Sequence, residues 1–246
     1  MEREVSEFVA CSNFFNRTGG NECWSEKWGW WEKSERITDY TGIRSDHEGR
    51  VVELMLPFNG LNSSLVANQE HGADWGVGIN GFRFLQSLNL HGNSLEGSLV
   101  TAMEDACKMT RADQFLKRPY HFDGLRNIDI CRNQLTGPFP DVLCSVLSLE
   151  WLNFSRNQLT GVIPDNVSNL RSLKLLDLSH NKIGGILPTR GLRTLSKLQC
   201  LNLGDNSITG KISPDVSRLT ALVVLNLSSN QFTGKIPSQA TALTSL

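Results

Sequence analysis

The sequence predicts an α/β solenoid whose concave face is a curved parallel β-sheet of about seven strands. Three observations lead there. A short pattern recurs seven times, its core alternates apolar and polar residues, and an asparagine closes every copy at the same place. The copies are VVELMLPFNGL from Val51, LQSLNLHGNSL from Leu85, LRNIDICRNQL from Leu125 and LEWLNFSRNQL from Leu149. LKLLDLSHNKI from Leu173, LQCLNLGDNSI from Leu198 and LVVLNLSSNQF from Leu222 complete the set. All share the form LxxLxLxxNxL, with Val, Ile or Phe allowed at apolar positions. The shared asparagines are Asn59, Asn93, Asn133, Asn157, Asn181, Asn206 and Asn230, spaced 34, 40, 24, 24, 25 and 24 residues apart. Regular self-similarity of this length marks stacked units, none of which buries its apolar residues alone.

Within a unit, the LxL core, as in Leu176-Asp177-Leu178, has period two and reads as a short strand with both leucines inward. A helix would need apolar spacing near 3.6 residues, and LxL before xxNxL breaks it in every copy. The asparagine turns the chain at the strand's end. Buried there, its amide can satisfy backbone groups of its own and the adjacent unit, so stacking predicts a ladder of asparagines. Gly and Pro punctuate the second half of the unit, as in Thr160-Gly161-Val162-Ile163-Pro164. Segments such as Val167-Ser168-Asn169-Leu170 then carry the convex side back to the next strand.

Residues 1–50 are not a repeat. A helix is expected from about Glu2 to Phe15, and after it a cluster of Trp24, Trp28, Trp30 and Trp31. Such a segment reads as a cap over the first repeat's exposed core. Residues 51–246 form the solenoid. Its two long spacings carry insertions, one near 66–81 with Trp75 and one near 100–122. In the second, Thr101 to Met109 looks helical and Lys108, Arg111, Lys117, Arg118 and His121 are basic. The last residues, Thr241 to Leu246, lead toward a further strand, so the chain is expected to be truncated there, with Leu243 and Leu246 poorly packed.

These segments resemble leucine-rich repeats of the plant-specific subclass, whose unit runs LxxLxLxxNxLxGxIPxxLxxL. Gly137-Pro138-Phe139-Pro140, Gly161-Val162-Ile163-Pro164 and Gly234-Lys235-Ile236-Pro237 match its second half; Gly185-Ile186-Leu187-Pro188 and Gly210-Lys211-Ile212-Ser213 match it more loosely. The first segment resembles the N-terminal cap of plant, algal and protist members through Thr18-Gly19-Gly20, Trp24, Trp30, Tyr40-Thr41-Gly42-Ile43 and Gly49-Arg50-Val51-Val52. In the plant form two cysteines flank the part matching Tyr40 to Ile43. Here Thr38 or Asp39, and Ser45, stand there, so the resemblance implies no cap disulfide. It implies the fold strongly and the partner weakly, because one scaffold serves many partners.

Composition is that of an ordinary folded chain, with 39% hydrophobic and 20% charged residues. Lys plus Arg number 24 and Asp plus Glu 25, a net charge of -1, which offers nucleic acid or an anionic membrane no electrostatic attraction. No run of 18 apolar residues exists to span a membrane. The start, Met1-Glu2-Arg3-Glu4-Val5, lacks a basic and apolar leader. The expectation is a cytoplasmic protein if Met1 is the true start, or an extracellular one whose leader is missing. Cys11, Cys23, Cys107, Cys131, Cys144 and Cys200 make no CxxC pair or zinc spacing. Either all are free thiols, or Cys11 bridges Cys23 and Cys131 bridges Cys144. Five sequons, at Asn16, Asn62, Asn153, Asn166 and Asn226, suit an extracellular chain, although Asn-Leu-Ser also arises from the repeat itself.

No catalytic constellation, cofactor site or metal site is expected. His47, His71, His91, His121 and His180 are scattered, and no GxSxG elbow or P-loop occurs. Gly76-Val77-Gly78-Ile79-Asn80-Gly81 has the GxGxxG form but lies between repeats, without the strand and helix a dinucleotide site requires. Asp129 and Asp177 share a strand position with Asn89, Asn153, Asn202 and Asn226, a structural pattern. The expected function is non-enzymatic recognition of a protein or peptide through the concave face. The alternatives are the ectodomain of a receptor-kinase-like signalling protein and a secreted enzyme inhibitor. The candidate contact patch is Trp151 beside Leu175, edged by Arg132, Arg156, His180 and Asp205, an apolar anchor with a polar rim.

Overall fold

The computed structural model describes residue 25 and residues 41–63, 82, 84–101, 103 and 124–242. The expected cap helix, the tryptophan cluster, Cys11, Cys23, Cys107, the insertion at 66–81, most of that at 100–122, and Leu243 and Leu246 lie outside these residues.

Among the described residues eight strands make the concave sheet: β1 (Ile43–Ser45), β2 (Val51–Met55), β4 (Ser87–Asn89), β6 (Asn127–Asp129), β8 (Trp151–Asn153), β9 (Leu175–Asp177), β10 (Cys200–Asn202) and β12 (Val224–Asn226). From β2 onward every pairing is parallel and in repeat register, so Leu54, Leu88, Ile128, Leu152, Leu176, Leu201 and Leu225 form one inward column. β1 pairs antiparallel with β2, so the sheet begins before the expected solenoid boundary at residue 51. Arg44 closes this pair on Glu53 at 2.9 Å, and Arg50 binds Asp46 at 2.6 Å across the hairpin turn. Gly42 is required here: it has φ 80, and a Cβ would lie 2.3 Å from the Met55 carbonyl oxygen. At the end of β1 the buried hydroxyl of Ser45 has no hydrogen-bond partner.

The sequence pattern anticipated one sheet, and the structure adds a second row of strands on the flank, after Asn59, Asn93, Asn133, Asn206 and Asn230. β3 (Asn62–Ser63), β5 (Ser94–Ser98) and β7 (Gln134–Thr136) pair in one group, and β11 (Thr209–Lys211) with β13 (Gln231–Thr233) in another. Between the groups single bonds continue the ladder, Thr160 N–H to the Gly137 carbonyl and Gly184 N–H to that of Gly161. The convex side is built of single turns: 3-10 turns Asp141–Ser145, Asp165–Asn169 and Pro214–Arg218, and the short helix α1 (Thr189–Leu192). Pro140 and Pro164, with fixed φ and no N–H, set up two of them. Val167 and Leu170 then plug the core from behind, as Leu143 and Val146 or Val216 and Leu219 do in their own repeats. Leu99, Val100, Thr101 and Met103 are helical where the second insertion begins, and Met103 is buried.

The asparagines knit the units together. Asn157 donates through Nδ2 to the carbonyls of Phe154 and Ser155 in its own repeat and to Ile130 in the preceding one, at 3.1, 3.3 and 3.1 Å. Its Oδ1 accepts the N–H of Leu135, also in the preceding repeat, at 3.0 Å. Asn93, Asn133, Asn181, Asn206 and Asn230 repeat this set against their own predecessors. Asn59, in the first repeat, is 3% exposed, and its backbone N–H is accepted by Asn93. In the final repeat Leu225, Leu227 and Phe232 are only half-buried, whereas Leu201 and Leu203 are fully buried.

Replacing Asn157 or Asn181 by Ala leaves buried carbonyls and an N–H without partners. Each substitution is expected to destabilise the fold by about 1–3 kcal/mol in denaturant unfolding; losses below about 0.5 kcal/mol for both would contradict a structural ladder.

Candidate functional site

Because side chains alternate along each strand, the residues between the inward leucines face the concave surface. Parallel register aligns them in columns across the repeats. The column before the LxL core carries Glu53, Ser87, Asn127, Trp151, Leu175, Cys200 and Val224. The structure places Trp151 directly opposite Leu175, as the repeat spacing implies, and Trp151 is 45% exposed. The apolar stretch is longer than the sequence reading made it, since Cys200 and the exposed Val224 extend it over four adjacent repeats. Val223, one residue earlier, is exposed too.

One column out, Glu150 receives Arg126 at 2.7 Å and Lys174 at 2.5 Å, one from each neighbouring repeat. These hydrogen bonds, that of Lys174 first, hold the Glu150 carboxyl below the usual carboxylate range. Exposed pairs of this kind add little stability. Their effect is to fix a charged border along one side of Trp151 and Leu175.

The column at the centre of the LxL core explains why Asn and Asp alternate there. Asn89, Asp129, Asn153, Asp177, Asn202 and Asn226 each accept the backbone N–H two residues on through Oδ1, at 2.9–3.3 Å. Ser155, Ser179 and Ser228 add their hydroxyls to the same oxygens. These are Asx turns. The exception supports the reading: in the first repeat the acceptor position is Met55, and the residue two further on, Pro57, has no N–H to donate. Asp129 and Asp177 are therefore turn formers. The sequon residues Asn153 and Asn226 hold the strand end in the same way.

The rim residues sit just before the ladder, and their backbone is unusual. Phe58, Arg132, Arg156, His180, Asp205 and Ser229 all have φ between 50 and 55°, and Gly92 has φ 69°. Each repeat thus turns at a left-handed residue that throws its side chain outward at the edge of the sheet. Sequence reasoning missed this constraint; its one signal was the glycine at position 92, where the ring of Phe58 also lies over the site a Cβ would fill. Arg132 and Arg156 are exposed, and their guanidinium groups hold no ion pair among the described residues. His180 and Asp205 face each other at 3.2 Å, Nδ1 to Oδ2, so they form a pair and not two independent rim groups.

Cys131, Cys144 and Cys200 are free, so Cys131 does not bridge Cys144. Burial, reinforced by Asp129 and Asp141 respectively, pushes the Cys131 and Cys144 thiols up to about 12. Burial and then Asp177 raise Cys200, the one described thiol on the concave face. Among the described residues no group of three His, Cys, Asp or Glu side chains is placed to hold a metal ion, and no helix is long and apolar enough to cross a membrane.

The leucine-rich-repeat family matches this sequence at residues 84–105, 123–183 and 196–240. The chain is a leucine-rich-repeat protein. Among solved structures, this leucine-rich-repeat chain is similar to the Arabidopsis receptor kinase HAESA in complex with the peptide hormone IDA and the co-receptor SERK1. The identity is 25% and the TM-score 0.73, covering 89% of this chain and 33% of that one. It is 30% identical to the plant peptide hormone receptor RGFR1, solved in complex with RGF2, with a TM-score of 0.58 over 69% of this chain and 24% of that one. A pollen receptor kinase 3 shares the fold at 22% identity and a TM-score of 0.60, covering 82% of this chain and 85% of that one. The chain thus spans about a quarter to a third of the two hormone-receptor structures. No curated protein matches the sequence.

The left-handed rim gives this leucine-rich-repeat surface its own mutational signature. Arg156→Val places a β-branched residue at φ 55° and is expected to destabilise by about 1–3 kcal/mol. Arg156→Gly, which suits that backbone, should leave stability within about 0.5 kcal/mol of wild type. Thermal or denaturant unfolding of the two variants checks the pair; equal losses would contradict a backbone origin.

Proposed function

We propose that this leucine-rich-repeat chain is a non-enzymatic module that recognises a protein or peptide through its concave face. The observation that carries this reading is the row Trp151, Leu175, Cys200 and Val224, apolar residues partly or largely exposed on a sheet whose other strand-face columns are mostly polar. Soluble surfaces seldom align such residues over four neighbouring strands without a contact to make. The Glu150 ion network borders the row on one side, and Arg132 and Arg156, which pair with no described carboxylate, offer charge at the other. An apolar centre with a polar rim is the composition of interface hot spots.

A second reading, that the chain is the ectodomain part of a receptor, draws support from HAESA and RGFR1, both solved with peptide hormones. Membership of the plant-specific subclass draws support from the flank strands after the asparagines and from the GxIP turns. That residues 1–50 cap the first repeat draws support from β1, whose antiparallel pairing with β2 ends the parallel run.

The test selects binders from a random peptide library on the wild-type protein and measures them against variants. Trp151→Ala is expected to weaken them about 10-fold or more, as loss of a buried aromatic anchor does, and Arg156→Gly to weaken those with acidic residues. Arg171→Ala, on the convex side, should change nothing. Binders that keep full affinity for folded Trp151→Ala and Arg156→Gly would overturn the concave reading.

A further inference from the structure

Beyond the concave face, we propose that the flank carrying the second row of strands is a self-association surface, on which a second copy of this chain packs about a two-fold axis. The residue after each turn glycine forms a row along this flank: Ser98, Pro138, Val162, Ile186, Lys211 and Lys235. The middle of the row is apolar and open. Val162 is 53% exposed and Ile186 70%, more than Trp151 on the concave face. Neither plugs the core; Val162 leans over Gly185 and Ile186 over Gly210 in the next repeat. Repeat packing asks for no apolar residue at either place, since Lys211 occupies the equivalent position and leans over Gly234 in the same manner.

Two features identify the occupant as a second copy. The first is shape. A shallow groove walled by the apolar Val100, Pro138, Phe139, Val162 and Pro164, with Gly161 and the carboxylate of Asp141 also in its lining, lies on the same flank as the protruding Ile186. Knob and groove on one surface are self-complementary: a two-fold axis that seats Ile186 of one copy between Pro138 and Val162 of the other makes both contacts at once.

The second feature is charge. The axis reverses the row, so its two ends must attract. At one end stands Glu96, two residues before Ser98 on β5, and at the other stand Lys211 and Lys235. Seating Ile186 between Pro138 and Val162 brings the Glu96 end of one copy against the interval between Lys211 and Lys235 of the other. Opposite charges meet at both ends without further adjustment. The apolar centre is only three residues long, which puts the contact among small interfaces that associate weakly and reversibly.

Sedimentation equilibrium of the full chain tests this, at concentrations up to ~100 µM, within the range where small interfaces assemble. A concentration-dependent dimer is expected. Ile186→Glu should raise its dissociation constant at least 10-fold while leaving the unfolding midpoint unchanged. Glu96→Lys alone should also weaken it, and combining Glu96→Lys with Lys211→Glu and Lys235→Glu should restore it. Trp151→Ala should have no effect, which separates this surface from the concave one. A monomer at every concentration, a dimer indifferent to Ile186→Glu, or a charge reversal that fails to recover association would each overturn the proposal.

Discussion

No repeat of this chain can satisfy its own backbone, and that constraint shapes everything else. The turn after each strand leaves carbonyl and N–H groups inside the solenoid, where an unpaired polar group is costly. One asparagine per repeat meets them, and its partners are split between its own turn and the repeat before it. Folding a unit and stacking it are therefore one event. Inward leucines supply most of the driving force, at roughly 2 kcal/mol for each buried side chain, but their attraction is non-directional. The asparagine fixes the register in which the leucines meet.

That coupling explains which features were legible in the sequence. Leucine, asparagine, glycine and proline recur because packing and turn geometry demand them, so strand positions and the inward column can be read from spacing alone. Trp151 beside Leu175 was legible in the same way, since parallel register makes equivalent residues neighbours. The illegible features depend on backbone detail that several residue types satisfy. The Asx turns accept Asn or Asp equally, so the position of Asp177 reads as structural from its pattern, but what it does is plain only once its oxygen is seen on the Ser179 N–H. The left-handed rim accepts Phe, Arg, His, Asp and Ser, residues of unlike class that do not line up as a motif. The flank strands escape because the alternation of Gln134-Leu135-Thr136 is only three residues long, too short to distinguish from a turn.

The scaffold separates the residues that hold it together from its exposed columns in space. Residues that hold repeats together point inward or lie in the turns, while the column of Trp151 and Leu175 leaves its side chains partly open to solvent. Trp151 can change without opening the core, and Ile186 leans on a glycine of the neighbouring repeat. A chain so organised can present distinct surfaces on its concave side and its flank.

The left-handed rim has a consequence for how such a surface diversifies. Backbone handedness restricts the chemical alphabet available at this column, because β-branched side chains are disfavoured there and glycine, asparagine, aspartate and other unbranched polar residues are tolerated. The seven occupants, Phe58, Gly92, Arg132, Arg156, His180, Asp205 and Ser229, include no Val, Ile or Thr. The strand columns carry the complementary repertoire, being extended backbone that welcomes Val224 or Trp151. If the concave face is the recognition surface proposed above, affinity from apolar contact and selectivity from charge are written at different backbone positions, and one can drift while the other is held.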